Sequence, residues 1–259
     1  MTEAITSAQN PKIKQLLLLQ EKSRARREQG LFVVEGRREL EHCLAAGFVP
    51  RSIYYCPEIA GPLSLPPCQL LEVPAALYRK IAYREGTEGI VATVEARERT
   101  LESLTLPENP LVMVLESVEK PGNLGAVLRS ADAAGADAVI FCDPLTDLYN
   151  PNLIRASVGA VFTVPLAAAP SEQVIPWLKA RGIRILTAQL QDSSLYYETD
   201  MRGGTALVMG TESVGLSERW RAAADARIRI PMNGRLDSLN VSVSAAILLY
   251  EAVRQRQRP

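Results

Sequence analysis

Between Ile228 and Ser244 the chain reads I-R-I-P-M-N-G-R-L-D-S-L-N-V-S-V-S, an apolar alternation, a polar turn and the start of a long apolar-periodic run. Ile228 and Ile230 fit a buried strand. Pro231, which has no N–H to donate, stops that strand, and Asn233-Gly234 signals a turn. Asp237 and Ser238 stand where an N-cap is wanted before the helical run Leu239–Val253. Two upstream stretches repeat the plan. Leu111–Glu116 is an apolar run followed by Lys120-Pro121-Gly122-Asn123, after which Leu124, Val127, Leu128, Ala131 and Ala134 recur at helix-face spacing as far as Gly135. Ala206–Met209 leads into Gly210-Thr211-Glu212-Ser213-Val214-Gly215-Leu216-Ser217. Glycine after a strand lets backbone amides come close to a ligand. Three such transitions in one stretch point to an α/β domain with a ligand crevice at the carboxyl ends of a parallel sheet.

The whole chain, 259 residues with 47% hydrophobic residues, has room for one large or two modest domains with substantial cores. Formal net charge is zero, so nothing global announces a polyanionic partner, although a local basic patch is sufficient for one. The four cysteines, Cys43, Cys56, Cys68 and Cys142, form no C-x-x-C pair, and His42 is the single histidine. Neither a metal site nor a disulfide framework is expected, and the thiols read as reduced residues in or near a core. His42 sits on what reads as a surface helix and is given no catalytic role. The polar start Met1–Lys14 has no apolar signal region, and no apolar run approaches the ~18 residues of a membrane span. The expectation is a soluble cytoplasmic protein with no membrane partner.

Along the chain, Asn10-Pro11 opens a helix whose buried face is Ile13, Leu16, Leu17 and Leu19, running on to Gly30. Strands are expected at 31–34, 52–55, 69–73 and 90–94, with helices at 37–46 and 75–82. This alternation describes a small α/β domain over residues 1–95, and the Pro-bearing charged stretch 96–109 reads as a linker. Over 110–259 the expected order is strand 111–116, helix 123–134, strand 138–142, helix 151–158, strand 161–165, helix 172–180 and strand 183–187. Strand 206–209, a short helix near 217–223, strand 227–230 and the last helix follow. Sheet rules alone describe an unthreaded doubly wound domain.

The three polar loops resemble the three motifs of the SpoU family of RNA ribose 2′-O-methyltransferases, of the TrmH type, within the SPOUT superfamily. Asn123, Gly125 and Arg129 match N-x-G-x-x-x-R. Gly210, Glu212, Gly215 and Leu216 match G-x-E-x-x-G-[LV]. Ile230, Pro231, Met232, Gly234, Ser238, Leu239, Asn240, Val241 and Ser242 match I-P-M-x-G-x-x-x-S-L-N-V-S. More loosely, Phe32-Val33-Val34-Glu35-Gly36 is similar to the F-x-x-E-G signature of the ribosomal protein L-thirty-e-like substrate-binding domain that precedes many SpoU catalytic domains.

The resemblance implies a carboxyl-terminal parallel sheet carrying a deep trefoil knot, which nothing in the periodicity itself shows. It implies methyl transfer from S-adenosyl-L-methionine, leaving S-adenosylhomocysteine, with no metal. Gly210, Ile230, Leu239, Met232 and Ala188 would hold the cofactor. Arg129 would be the catalytic arginine, binding the target phosphate and stabilising a developing alkoxide, since a guanidinium is a poor base. A surface salt bridge from Arg129 to Glu116 or Asp132 is the plainer alternative. Asn123 and Glu212 would fix the loops or touch the nucleotide, and Ser238 and Asn240 would hold the loop and the target ribose, with a pure N-cap role open for Ser238. The family's active site is completed across a homodimer; the apolar stripe of the last helix (Val241, Val243, Ile247, Leu248, Val253) fits that, and fits ordinary core packing. In the amino-terminal domain, Lys12, Lys22, Arg24, Arg26, Arg27 and Arg37 read as a patch for RNA phosphates or as a solvated helix face. Arg254, Arg256 and Arg258 in the tail are open to the same two readings. Ribosomal RNA of the large subunit is the expected substrate, with transfer RNA second. A non-catalytic RNA-binding or ribosome assembly factor is the rival from another class. A dinucleotide enzyme is disfavoured, because Gly122-Asn123-Leu124-Gly125 is not G-x-G-x-x-G.

Overall fold

The computed structural model describes residues 2–61, 66–83, 88–235 and 237–257. By contact the chain divides into two compact units, Met1–Glu98 with Asp147–Thr163, and Arg99–Thr146 with Val164–Pro259. A stretch inside the expected carboxyl-terminal domain therefore packs with the amino-terminal one.

The first unit begins with β1 (Thr2–Ala4), α1 (Pro11–Glu21), α2 (Ser23–Gln29), β2 (Leu31–Glu35) and α3 (Arg37–Ala45). β3 (Pro50–Tyr55), α4 (Pro57–Ala60), β4 (Gln69–Glu72), α5 (Ala75–Ile81) and β5 (Ile90–Glu95) follow. The sheet order is β1-β4-β3-β5-β2, with β2 and β3 antiparallel to β5 and the other pairs parallel. Asn10 caps α1, its side chain accepting from Lys12 N–H at 2.9 Å. The helix expected to run unbroken to Gly30 breaks at Lys22, whose backbone is extended. Ile13, Leu16 and Leu19 face the core, whereas Leu17 is only half-buried.

The second unit begins with β6 (Leu111–Glu116), α6 (Pro121–Ala133) and β7 (Ala138–Cys142). The chain then contributes α7 (Pro151–Ala156) and α8 (Ala160–Thr163) to the first unit before returning. Residues 160–163 are thus helical where a strand was expected over 161–165, and the strand is β8 (Leu166–Ala169). α9 (Ser171–Ala180), β9 (Arg184–Ala188), β10 (Ser194–Leu195), β11 (Thr205–Met209), α10 (Glu218–Ala223), β12 (Ala226–Arg229) and α11 (Val241–Arg256) complete the unit. Its seven strands run β10-β12-β9-β11-β6-β7-β8, every pair parallel. Every residue of β6, β7 and β11 is buried, as a parallel sheet covered on both faces requires. The expected mixed α/β fold with a carboxyl-terminal parallel sheet is what is observed.

α11 packs against α6. Val241 and Leu248 are buried, but Val243 of the anticipated stripe is 47% exposed. Arg256 does not belong to a solvated tail: its guanidinium donates to the carbonyls of Met201, Asn109, Pro110 and Gly203 at 2.7–3.1 Å. Arg254 pairs with Glu251, and Arg258 lies outside the described residues.

In the first unit Tyr149, just before α7, and Phe162 of α8 complete an aromatic cluster. Phe32 stacks on Tyr149 at 4.3 Å and on Phe162 at 5.8 Å, and Phe48 meets Phe162 edge-on at 5.3 Å. The Tyr149 hydroxyl donates to Arg97 O and accepts from Arg97 N–H. His42 is half-buried rather than on a free surface, its Nδ1 lying 3.1 Å from Val158 O.

Candidate active site

The loops after β9, β11 and β12 rise from three adjacent strand ends and wall a cleft of about 370 Å³. Ala188, Gly210, Ile230, Met232 and Leu239, the five residues expected to hold a cofactor, all line it. Met209, Leu216, Ile228 and Leu248 add apolar wall, and Gln189, Gln191, Thr211 and Ser213 add polar groups. That volume and mixture suit a nucleoside-sized ligand with a polar extension.

The β11 loop folds back on itself. Gly215 N–H donates to Thr211 O at 3.0 Å, and Gly215 takes a left-handed φ of 69°. A Cβ at Gly210 would run into the carbonyl of Gly215 and lie 2.6 Å from Leu216 N. Gly210 is therefore demanded by contact of the loop with its own backbone, before any ligand is considered.

The three motifs meet at one carboxylate. Glu212 Oε1 accepts from Asn123 Nδ2 at 3.0 Å, Asn240 Nδ2 at 2.8 Å and Val241 N–H at 3.3 Å. Asn240 Nδ2 is shared with Asn123 Oδ1 at 3.1 Å, while its Oδ1 accepts from Ser242 N–H at 3.0 Å and Ser242 Oγ at 2.6 Å. Asn240 is the N-cap of α11, so capping by Asp237 or Ser238 is corrected. The reason is local: the chain is not yet helical from Asp237 to Leu239, and Ser238 Oγ donates to Asp237 Oδ1 at 3.4 Å rather than accepting from a helical N–H. Asn123 can take part because α6 begins two residues earlier than expected, at Pro121, placing Asn123 in its first turn. Each of these amides has its hydrogen-bonding capacity directed at the loops.

Arg129 is exposed on α6 and does not line the cleft. Glu116, the partner considered for it, is buried and accepts Ser217 N–H at 2.8 Å. Among the described residues no cluster could hold a metal ion, and no helix is long and apolar enough to cross a membrane.

The basic residues of the first unit do not form one patch. Arg26 is 4% exposed, pairs with Asp147 at 2.6 Å and donates to Leu19 O and Gln20 O. It is a core residue, and its assignment to phosphate binding is corrected. Lys12 pairs with Glu3, Arg24 with Glu28, and Arg37 Nη2 donates to Ala60 O at 2.8 Å. Lys22 and Arg27 are exposed without a described ion pair. Sequence reasoning missed Arg221 and Arg229, which line the cleft. An arginine on a short amphipathic helix or a strand end carries no pattern that separates it from a solvated one.

The SpoU rRNA Methylase family model matches residues 110–250, and an MRM3-like substrate binding domain matches residues 10–92. The 23S rRNA (guanosine(2553)-2′-O)-methyltransferase RlmP of Bacillus subtilis is 30% identical over 95% of this chain and 97% of its own length. The 23S rRNA (uridine(2479)-2′-O)-methyltransferase of Streptomyces viridochromogenes is 34% identical over 73% of this chain and 68% of its own. An AdoMet-bound rRNA methyltransferase structure from Sinorhizobium meliloti superposes with a TM-score of 0.89 at 32% identity, covering 98% of each chain. With motif loops that converge on one cleft, and with a match over most of its second half, this chain belongs to the SpoU rRNA methylase family.

Proposed function

We propose that the chain methylates a ribose 2′-hydroxyl of large-subunit ribosomal RNA, using S-adenosyl-L-methionine bound in the cleft of the second unit. The observation that carries this is the convergence of Asn123, Glu212 and Asn240 beside a nucleoside-sized cleft lined by Gly210, Ile230, Met232 and Leu239. The relatives cited above match most or nearly all of the chain and are named for 23S rRNA or rRNA, whereas two tRNA-modifying enzymes match only 57–62% of it, which favours ribosomal over transfer RNA.

When bound, the cofactor supplies an already activated methyl group, so the protein's task is positioning and charge stabilisation. The apolar wall, Ala188 to Leu248, excludes water from one side of the ligand. Glu212 ties the β11 loop to α6 and α11 and fixes the rim where the ribose would lie. Asn240 acts through that network, its donors and acceptor already engaged, while exposed Ser238 is left to contact the nucleotide. Arg129, always charged, would hold the target phosphate and the oxygen that gains negative charge.

Arg129 lies outside the cleft of its own chain, so a second copy is the natural source of that cation. Leu239, Val243 and Tyr250 are 39–51% exposed and supply apolar surface for such a homodimer. In the first unit, exposed Lys22 and Arg27 would contact RNA phosphates, with Lys12, Arg24 and Arg37 reorienting to join them. The carboxyl-terminal knot and a cytoplasmic location belong to the same reading.

The test is incubation with tritiated S-adenosyl-L-methionine and separate unmodified ribosomal and transfer RNA pools, mapping label to ribose or base. Label on a ribose 2′-oxygen of 23S rRNA is expected. Label only in transfer RNA would change the substrate, and no cofactor binding at all would favour a non-catalytic RNA binder. Arg129→Ala should keep cofactor affinity and lose turnover; near-normal turnover would sink its role.

A further inference from the structure

Two buried side-chain nitrogens lack a hydrogen-bond partner among the described residues, Trp177 Nε1 and Arg221 Nε. Trp177 belongs to the apolar core under the Arg181 guanidinium, 4.1 Å away, and does not line the cleft. Arg221 is different, because it lines the cleft. It is half-buried, and its Nη2 would lie 3.6 Å from a Cβ at Gly215, which places the guanidinium against the folded β11 loop.

A partly desolvated cation needs an anion. No described ion pair supplies one to Arg221. The cleft's two carboxylates are engaged elsewhere: Glu212 with Asn123, Asn240 and Val241, and Asp237 with Ser238. Arg227 Nη2 donates to Arg221 O at 3.3 Å, while its Nη1 pairs with Asp192 at 3.8 Å, so neither partner turns a free carboxylate to Arg221. Arg229 also lines the cleft, its Nη1 lying 3.5 Å from Ser193 Oγ. The cleft's own carboxylates are thus turned to other partners, and the Arg221 Nε has no hydrogen-bond partner among the described residues.

We propose that Arg221 binds the carboxylate of the cofactor's methionine moiety and so orients the cofactor in the cleft. This deepens, and rests on, the reading of the cleft as an S-adenosyl-L-methionine site. Of the charges on that molecule, a sulfonium, an ammonium and a carboxylate, only the carboxylate is attracted to a guanidinium. An RNA phosphate is the competing anion. Its bulky chain would have to remain outside, whereas Arg221 sits against the folded loop with its Nε enclosed.

The test compares binding of S-adenosyl-L-methionine and of its decarboxylated analogue to the full-length protein by calorimetry. Both ligands carry the sulfonium and the ammonium and differ only in the carboxylate. The wild type should prefer the carboxylated ligand by about tenfold or more, the scale of a charge-assisted hydrogen bond. Arg221→Gln should reduce that preference to near unity while leaving affinity for the analogue unchanged, and Arg221→Lys should restore part of it. Arg219→Gln, on the same helix but paired outward with Glu172, should behave as wild type.

Equal weakening of both ligands in Arg221→Gln would overturn the assignment in favour of a structural prop. An undiminished preference, with a weaker grip on an RNA oligonucleotide, would replace it with phosphate binding. If neither ligand binds the wild type, the cofactor reading of the cleft falls too, which separates that failure from failure of the Arg221 assignment alone.

Discussion

Gly210 and Gly122 offer a paired experiment in which one added methyl group has opposite expected signs. At Gly210 the new Cβ would meet the Gly215 carbonyl and approach Leu216 N to 2.6 Å. These are backbone atoms of a loop pinned by the Gly215 N–H to Thr211 O bond, so no side chain can swing aside. Relief requires the loop to open by roughly 1 Å to reach normal contact. Overpacking of this kind costs about 1–3 kcal/mol, and loss of the loop's own hydrogen bond adds about 1 kcal/mol. At roughly 2–4 °C per kcal/mol for a unit of this size, Gly210→Ala should lower the melting temperature by about 5–15 °C. Gly122, by contrast, lies in the first turn of α6 with nothing within 4 Å of an added Cβ. There alanine gains roughly 0.5–1 kcal/mol of helix propensity and should raise the transition by about 1–4 °C. Thermal unfolding followed by near-UV circular dichroism reads both variants, and calorimetry with S-adenosyl-L-methionine should show weakened binding for Gly210→Ala alone. Equal melting temperatures and equal affinities would refute the claim that the loop's contact with itself shapes the cleft.

Arg26→Ala removes one partner of a buried pair and leaves Leu19 O, Gln20 O and Asp147 short of a donor. It should cost about 3–5 kcal/mol in urea unfolding of the first unit, far more than Arg24→Ala, and a loss comparable to that of Arg24→Ala would refute the burial argument. Asn240→Ala deletes the α11 cap and a donor to Glu212; about 0.5–2 kcal/mol of stability should go, together with cofactor affinity, and unchanged affinity would detach the network from the cleft. In thiol titration of the native protein, half-buried Cys68 should react first. Burial raises its thiol above the ordinary value, so its rate should keep climbing beyond pH 9. Buried Cys142, pushed up much further by burial and by the neighbouring Asp143 charge, should label only on unfolding; fast native labelling would contradict its placement.

What could be read in advance was whatever a local pattern encodes. The three strand-to-loop transitions were visible because apolar runs end abruptly at Pro231, Gly210 and the Lys120-Pro121-Gly122 turn. The cap of α11 was misplaced by two or three residues because Asp237, Ser238 and Asn240 are all good capping types, and only three-dimensional engagement with Glu212 selects Asn240. Residues 160–166, A-V-F-T-V-P-L, form an apolar run too short for its period to distinguish helix from strand, while the real strand, L-A-A-A, has weak strand character. The break at Lys22 carries no glycine or proline. Arg26 could not be told from its exposed neighbours, because Asp147 stands 121 positions away in sequence. Arg221 was hidden too: its significance is a buried Nε with no partner among the described residues, which only a folded chain reveals.

The assignment of Asp147–Thr163 to the first unit has a consequence for how the protein is made. When residue 98 leaves the ribosome, every strand of the first sheet has been synthesised, yet Phe32 and Phe48 still lack Tyr149 and Phe162, and Arg26 still lacks Asp147. Completion waits for ~65 more residues, several seconds at ordinary elongation rates, and those residues include β6, α6 and β7 of the other unit. The two units cannot mature strictly one after the other. A fragment cut at residue 98 would expose an aromatic face and a buried-type arginine, and so should be aggregation-prone even though its sheet is whole.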